Sequence, residues 1–196
     1  MPRAGLSRGA VVRVALDLVD GGGPTGFADL TLAKVAAQAG VATPSLYKHV
    51  GSLAALRREV STVAVDELNA AMTEATVGLS GPEAVEALAH AMRGFARSRP
   101  GRWAAAQAAP DPDDPADAAL SAAADRSVRT VAAVLRGFDL PEARTVDAIR
   151  SVRAGVHGFV TLELAGGFRL PQDLDASFAT HVAMMLAGLE RVAQDS

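Results

Sequence analysis

The sequence predicts an all-α protein with a small N-terminal three-helix head and a larger helical C-terminal body, about nine helices in all. Alanine and leucine are abundant, and apolar residues recur three and four positions apart, which places them on one face of a helix. Alternating apolar and polar runs, as a half-buried strand requires, are missing. Glycine and proline fall at intervals typical of helix ends.

Three short helices form the predicted head. The first spans Leu6–Val19, which carries an apolar stripe and is followed by a Gly-Gly-Gly-Pro terminator. The second begins after Thr31, whose hydroxyl can cap it, and ends at Gly40, which supplies a left-handed exit. Thr43 is predicted to cap the third, with Pro44 in the first turn, where its missing N–H costs nothing.

Six further helices are predicted in the body. Ser52 caps the first of them, and the acidic, proline-rich stretch Pro110–Pro115 is expected to be a solvated loop. The predicted spans are Leu53–Thr76, Ser80–Ser98, Trp103–Ala109, Ala116–Phe138, Glu142–Ala165 and Leu174–Ala193. We place the boundary between a helix-turn-helix domain at residues 1–56 and a second helical domain at residues 57–196.

Composition excludes several classes of protein. Cysteine is absent, which excludes disulfide frameworks and thiol nucleophiles, and no apolar run approaches the ~20 residues that span a bilayer. The histidines of the body, His90, His157 and His181, are too scattered for a metal motif, so we expect neither metal nor cofactor. A soluble, cytoplasmic protein without a membrane partner is predicted.

Charge is distributed unevenly along the chain. The net charge is −3, but residues 1–60 carry +3 and residues 61–196 carry −6. The only two lysines, Lys34 and Lys48, both lie in the head. A basic head on an acidic body can place a local positive patch against phosphates.

The spacing of the two short helices around Gly40 favours a helix-turn-helix. Small residues allow the helices to cross closely, and the second helix can then present Thr43, Ser45, Tyr47 and Lys48 to a major groove. Many globular proteins contain a similar corner, so spacing alone leaves a purely structural role open.

The motifs of this segment strongly resemble the TetR-family DNA-binding domain over about residues 7–56. The resemblance rests on Leu30–Ala36, on Ala39–Val41 and on Pro44–Val50, which contains Leu-Tyr-Lys-His-Val. It implies groove-facing positions on the third helix and phosphate contacts on either side of it. The residues implied to bind DNA are Thr31, Lys34, Thr43, Pro44, Ser45, Tyr47, Lys48 and His49.

Two positions depart from the family pattern. Leu53 stands where a lysine is frequent, and Ala33 stands where a basic or polar residue is frequent. Both changes remove DNA contacts. Arg3 and Arg8 would compensate as a flexible arm beside the DNA, although a solvated terminus is the plainer interpretation.

The body resembles a recurrent TetR-type C-terminal domain over about residues 80–195. The resemblance rests on Phe95-Ala96, on Arg99–Trp103, on Arg153–Phe159 with Leu162-Glu163, and on Gly167-Phe168. It implies a homodimer that senses a small molecule. Helical periodicity independently favours an interface, because apolar stripes on more than one side of a helix must be covered twice; a monomeric core is the alternative. The predicted interface residues are Ile149, Val152, Val156, Phe159, Phe178, Val182, Met185, Leu189 and Val192.

A ligand pocket is predicted around the single tryptophan of the body. Large aromatics beside an irregular helix junction can line a cavity, and few polar residues surround them, so a largely apolar ligand is expected. Core filling by the tryptophan is the alternative. The predicted ligand-binding residues are His90, Phe95, Arg102, Trp103, Gln107 and His157.

These observations together predict a DNA-binding transcriptional regulator and not an enzyme. We expect a repressor that binds a palindromic operator in double-stranded DNA as a homodimer and that an unknown small-molecule inducer releases. The alternative is a small helical ligand-binding protein or enzyme whose helix-turn-helix is only structural. That alternative predicts turnover or a bound cofactor, and no affinity for DNA.

Overall fold

The computed structural model describes residues 6–194, and these form nine α-helices, three short 3-10 turns and no strand. The all-α prediction is therefore confirmed. The helices are α1 (Arg8–Gly21), α2 (Leu32–Ala39), α3 (Thr43–Val50), α4 (Leu53–Thr76), α5 (Gly81–Ser98), α6 (Pro100–Ala105), α7 (Ala118–Leu135), α8 (Glu142–Leu164) and α9 (Leu174–Gln194). No helix of this described range is long and apolar enough to cross a membrane.

The chain divides into two compact units. Among the described residues, the first unit comprises 6–67 together with Arg99–Ala124, and the second comprises Leu68–Ser98 together with 125–194. Helix α6 and the loop before α7 thus belong to the compact unit that contains the head. The functional boundary after residue 56 stays a prediction.

Local hydrogen bonds explain where the two helices of the helix-turn-helix, α2 and α3, begin, and Gly40 explains where α2 ends. The Thr31 hydroxyl accepts a hydrogen bond from the Lys34 N–H at 3.2 Å and begins α2 as predicted. Gly40 ends it at φ 66° and ψ 33°, a left-handed conformation that favours glycine. Helix α3 begins one residue earlier than predicted, because the Ser45 N–H already bonds to the Ala42 carbonyl at 2.9 Å. Thr43 is therefore inside the helix, and Ala42 is an N-cap without a side-chain hydrogen bond.

The core of the first unit lies beneath α1, α2 and α3. Helix α1 buries one face, and α2 and α3 each contribute side chains that are buried from solvent. Leu30, which precedes α2, and residues of α4 complete this core. Its largest fully buried side chains are Val11, Val19, Leu30, Val35, Leu46, Leu56 and Val60. Burial of such apolar side chains is the main stabilising contribution to so small a unit.

Helix α6 lies directly on the end of α1. A Cβ added to Gly101 would stand 2.1 Å from the Val19 carbonyl oxygen, and a Cβ on Gly26 would stand equally close to the same oxygen. Trp103, with 3% of its surface exposed, is buried in α6. The helix spans Pro100–Ala105 and not the predicted Trp103–Ala109. It begins at Pro100, and near its end the side-chain amide of Gln107 donates to the Trp103 backbone carbonyl at 3.0 Å.

In the second unit, α5, α8 and α9 pack against one another. Each helix contributes one apolar face to a shared core. Leu88 and Met92 come from α5, Val152 from α8, and Phe178 and Val182 from α9. Of the predicted long helices, α4 has the predicted bounds, and α8 and α9 agree to within one residue at each end.

The contact at Gly101 predicts a measurable loss of stability. Gly101→Ala should lower the free energy of unfolding by about 1–3 kcal/mol, since the new methyl group must push α6 away from the backbone of α1. Gly94→Ala in α5 is the matched control, because nothing lies within 4 Å of the added Cβ. There alanine should stabilise the helix by up to about 1 kcal/mol. Equal thermal unfolding curves for the two variants would contradict the assigned close contact.

Candidate nucleic-acid interface and partner surfaces

Helix α3 buries one side and presents the other to solvent. Leu46 and Val50 are buried, whereas Tyr47 has 54% of its surface exposed and Pro44 and Lys48 are also exposed. Among the other predicted contacts of this helix, Thr43, Ser45 and His49 are half-buried. The outward face offers hydroxyl groups and one ammonium group, which can contact base edges and phosphates in a major groove.

The predicted phosphate contacts of α2 have roles within the protein as well. Thr31 and Lys34 are both exposed, as a DNA contact requires. Thr31 is also the N-cap of α2, and the Lys34 ammonium donates to the Asp29 carbonyl at 2.9 Å. The ammonium has three N–H donors, so Lys34 can bind a phosphate while it keeps this carbonyl.

Two arginines of the basic head are paired with carboxylates. Arg8 pairs with Glu59 at 2.8 Å from the first turn of α1, so it is not part of a free arm, and Arg3 lies outside the described residues. Arg58 pairs with Asp114 at 3.0 Å and also with Asp117. The Asp111 N–H, which donates to Asp117 at 2.6 Å, and the Arg58 guanidinium together lower the pKa of Asp117. The loop before α7 is thereby held against α4.

Arg102, a predicted ligand contact, is bound to the protein's own carboxylates. Its guanidinium lies 2.8 Å from the Asp20 carboxylate of α1 and 2.5 Å from the Glu67 carboxylate of α4. Arg99 also pairs with Glu67, at 3.1 Å. The Arg102 side chain is 13% exposed and links α6 to α1 and α4. Arg102 thus has a structural role in the first unit, and its predicted contact with a ligand stays a prediction.

The predicted ligand-binding residues are divided between the two units. Arg102, Trp103 and Gln107 lie in the first unit, and His90, Phe95 and His157 lie in the second. Trp103 and Phe95 are buried in their respective units, which favours the alternative of core filling. Neither unit by itself brings all six together.

Two histidines of this set lie near other side chains of the second unit. His90 is exposed and its ring meets Phe178 edge-on, with 5.2 Å between centroids. Burial, together with the Arg153 charge, lowers the pKa of His157, so its imidazole is neutral at pH 7. A neutral imidazole can both donate and accept a hydrogen bond.

A buried arginine in α5 was not found by sequence reasoning. Arg93 is 4% exposed, donates two 2.8 Å hydrogen bonds to Glu163 of α8, and lies 2.8 Å from Asp175 of α9. Its guanidinium carbon stands 4.7 Å from the centroid of the Phe178 ring. The Glu163 carboxylate raises the pKa of Arg93 despite burial. The available signal was an arginine inside the apolar stripe of α5.

Comparison with known proteins agrees with this architecture. The family model for the tetracyclin repressor-like C-terminal domain matches residues 85–185. An HTH-type transcriptional regulator of Mycobacterium tuberculosis is 35% identical over 188 residues, covering 96% of this chain and 84% of that protein. The chain belongs to the TetR family of transcriptional regulators.

Further relatives extend the likeness across nearly the whole chain. An HTH-type transcriptional regulator of Bacillus subtilis is 29% identical over 96% of this chain and 95% of that protein. A TetR variant from Acinetobacter baumannii, solved in complex with minocycline, has a TM-score of 0.67 at 23% identity and covers 96% of this chain and 99% of that chain. A possible TetR family regulator from Streptomyces coelicolor has a TM-score of 0.71 at 22% identity and covers 95% of this chain and 100% of that chain.

Most of the interface stripe predicted for this TetR-family chain is buried within the protomer. Val152, Val156, Phe178, Val182 and Leu189 are each at most 5% exposed in the single chain. They thus contribute to the core of the single chain, and their role in an interface stays a prediction. The larger apolar side chains of α8 and α9 are drawn into the protomer's own core, and periodicity alone does not distinguish the two kinds of burial.

The rest of the predicted stripe is half-buried. These residues are Ile149, Phe159, Met185 and Val192. Met185 and Val192 line an open groove of about 300 Å³ between α8 and α9. Phe159 packs its ring against Phe168 and Phe178, at centroid distances of 4.8 and 5.0 Å. Only the edges of the predicted stripe therefore reach the surface.

The opposite face of α9 is exposed and poor in charge, and the exposed residues of α8 after Arg153 are uncharged as well. Met184 has 71% of its surface exposed, and no charged residue occurs in α9 between Asp175 and Glu190. Its exposed neighbours on the same face are Ala176, Thr180, Ala183, Ala187 and Gly188. On α8, Leu162 is 51% exposed, and Gly158, like Gly188, has open space where a Cβ would stand. A second backbone can approach such a surface closely.

Proposed function

We propose that this TetR-family regulator is a homodimeric repressor that binds a palindromic operator and is released from it by a small-molecule ligand. The observation that carries the proposal is the outward face of α3, where Pro44, Tyr47 and Lys48 are exposed while Leu46 and Val50 are buried. A helix of this size enters the major groove of B-DNA. The regulators to which the chain is related support this role.

On the DNA, each exposed side chain of the head has a distinct role. Tyr47 donates its phenolic O–H to a backbone phosphate, and Lys48 reaches a base edge; Thr43, Pro44 and Ser45 line the groove around them. Thr31, Lys34 and His49 contact phosphates at the two sides. Two such heads in a dimer read half-sites about 34 Å apart, or a small multiple of that distance, in successive major grooves.

The dimer forms through the exposed, weakly charged face of α9 and the exposed side of α8 around Leu162, beyond Arg153. Exposed apolar surface on a helix that already buries one side favours a second layer of protein. Small residues at Gly158 and Gly188 permit close helix packing, and Met184 supplies an adaptable apolar contact. Opposite faces of the same two helices therefore serve the protomer core and the partner.

A small apolar ligand is proposed as the inducer. Two solved structural neighbours carry small molecules: the Acinetobacter baumannii protein is in complex with minocycline, and ActR of Streptomyces coelicolor is in complex with (S)-DNPA. Release of DNA requires that the ligand bind more tightly to the conformation in which the two α3 helices no longer match successive grooves.

The first test of this proposal concerns the operator. DNA fragments selected by the purified protein should converge on a palindrome, and affinity should fall steeply with salt as counterions are released. Tyr47→Phe should weaken binding to every sequence by about tenfold, because one phosphate hydrogen bond is lost. Lys48→Ala should in addition change the preferred base at one position of each half-site. Selection that enriches no sequence at low salt would refute the proposed function, and a uniform loss for Lys48→Ala would make Lys48 a phosphate contact.

A second test concerns the dimer. Met184→Glu should raise the dimer dissociation constant at least about a hundredfold while the protomer stays folded, since a charge is placed in an apolar contact. Val128→Glu on α7, where the side chain is also exposed, is the control and should stay dimeric. Leu189→Glu should instead unfold the protomer, because Leu189 is a core residue. Light scattering and circular dichroism measure both properties, and a stable wild-type monomer at micromolar concentration contradicts the proposed dimer.

A third test follows the inducer through Trp103, the single tryptophan of the chain. Because Trp103 is buried in α6, a compound that displaces this helix should change its emission. Emission and release of operator DNA should respond over the same concentration range. An inducer that releases DNA from both the wild type and Trp103→Phe without changing wild-type emission would place the sensor elsewhere.

A further inference from the structure

Three consecutive carbonyl groups immediately before the cap of α2 each accept a hydrogen bond from a cationic side chain. Arg57 of α4 donates through Nη2 to the Ala28 carbonyl at 2.8 Å and to the Leu30 carbonyl at 3.1 Å. Lys34 of α2 donates to the carbonyl of Asp29, which stands between them, at 2.9 Å. The segment that leads into the helix-turn-helix is thus held from two sides.

The Arg57 side chain is committed to this segment by more than its hydrogen bonds. Its guanidinium carbon lies 5.9 Å from the centroid of the Phe27 ring, within the range of a cation–π contact. The side chain is half-buried, and its Nε is shielded from solvent. A planar guanidinium can bridge two carbonyls and lie over a ring at once, whereas a lysine ammonium cannot reproduce that geometry.

The clamped segment fixes where α2 begins. Leu30 is 1% exposed and anchors the segment in the core, and Thr31 follows it as the N-cap of α2. Helix α2 in turn packs against α3, the helix that presents Tyr47 and Lys48. Arg57 lies in the second turn of α4. From there it holds the start of α2, the first helix of the helix-turn-helix, in place.

We propose that Arg57 is a positioning residue for operator binding. It does not touch DNA; it fixes α2 against α4 so that α3 meets the groove at one angle. The inference rests on the proposed operator binding. On the basis of its charge alone, Arg57 would be taken for a phosphate contact, whereas its donors bind backbone carbonyls. Pre-organised contacts lower the conformational cost of binding, so the loss of the brace should weaken the complex.

The neighbouring Arg58 provides a matched control. It carries the same charge, lies one residue further along α4, and pairs with Asp114 and Asp117 at the loop before α7. No hydrogen bond among the described residues joins its side chain to the segment before α2. Arg57→Met and Arg58→Met therefore remove equal charge from adjacent positions and differ in the segment that they release.

The experiment measures two properties of Arg57→Met, Arg57→Lys and Arg58→Met. The first is hydrogen exchange of the α2 amides in the protein without DNA, and the second is operator affinity over a range of salt concentrations. Arg57→Met should accelerate exchange in α2 and weaken operator binding by about tenfold at every salt concentration, with the salt slope unchanged. Arg57→Lys should restore part of both, and Arg58→Met should leave both as in the wild type.

Three results would overturn the inference. A salt slope reduced by about 0.9 for each lost contact, with α2 exchange unchanged, would make Arg57 a phosphate contact. If Arg57→Met behaves as the wild type in both measurements, Arg57 has no positioning role. If Arg58→Met has the same effects as Arg57→Met, the loss of positive charge alone explains them. If Arg57→Met does not fold, Arg57→Lys decides through the same two measurements. Wild-type protein that binds no selected DNA refutes the proposed function, and α2 exchange then still decides whether the clamp exists.

Discussion

The carbonyl oxygen of Val19 is the point on which the arrangement of the first unit depends. The backbones of Gly26 and Gly101 both approach it so closely that a Cβ at either position would overlap it, at 2.1 Å. This contact joins the end of α1 to the turn before α2 and to α6. The Arg102 pairs with Asp20 and Glu67 then reinforce the same junction. A helix that belongs to the body by sequence order is thereby part of the compact unit that contains the head.

Several cationic side chains of the head bind groups within the first unit itself. Arg8 and Arg58 pair with carboxylates, and Arg57 binds backbone carbonyls. A count of basic residues consequently overstates the charge that is available to phosphates. The surface that α3 presents is instead made mainly of hydroxyl groups with the single ammonium of Lys48, so the proposed recognition of DNA depends on fitting the groove as well as on charge.

Helices α8 and α9 each bury one face in the core and expose the other. Phe178 and Val182 occupy the protomer core, and Arg93 lies beside them, satisfied by Glu163 and Asp175. Met184 lies on the other side of α9, among alanine and glycine. Hydrophobic periodicity selects the largest apolar side chains and thus identified the core face, while a surface of small residues gives only a weak periodic signal.

Local chemistry in the sequence determined the all-helical class, the bounds of α4, the Thr31 cap and the left-handed exit at Gly40, because each depends on residues within one or two helical turns. The motif around Tyr47 determined the family for the same reason: its residues are contiguous. Only the tertiary structure decided the partners of Arg57, Arg93 and Arg102, and which face of α9 is free. These partners lie 27 to 82 residues away in the chain, and a charge by itself does not show which distant group folding will bring to it.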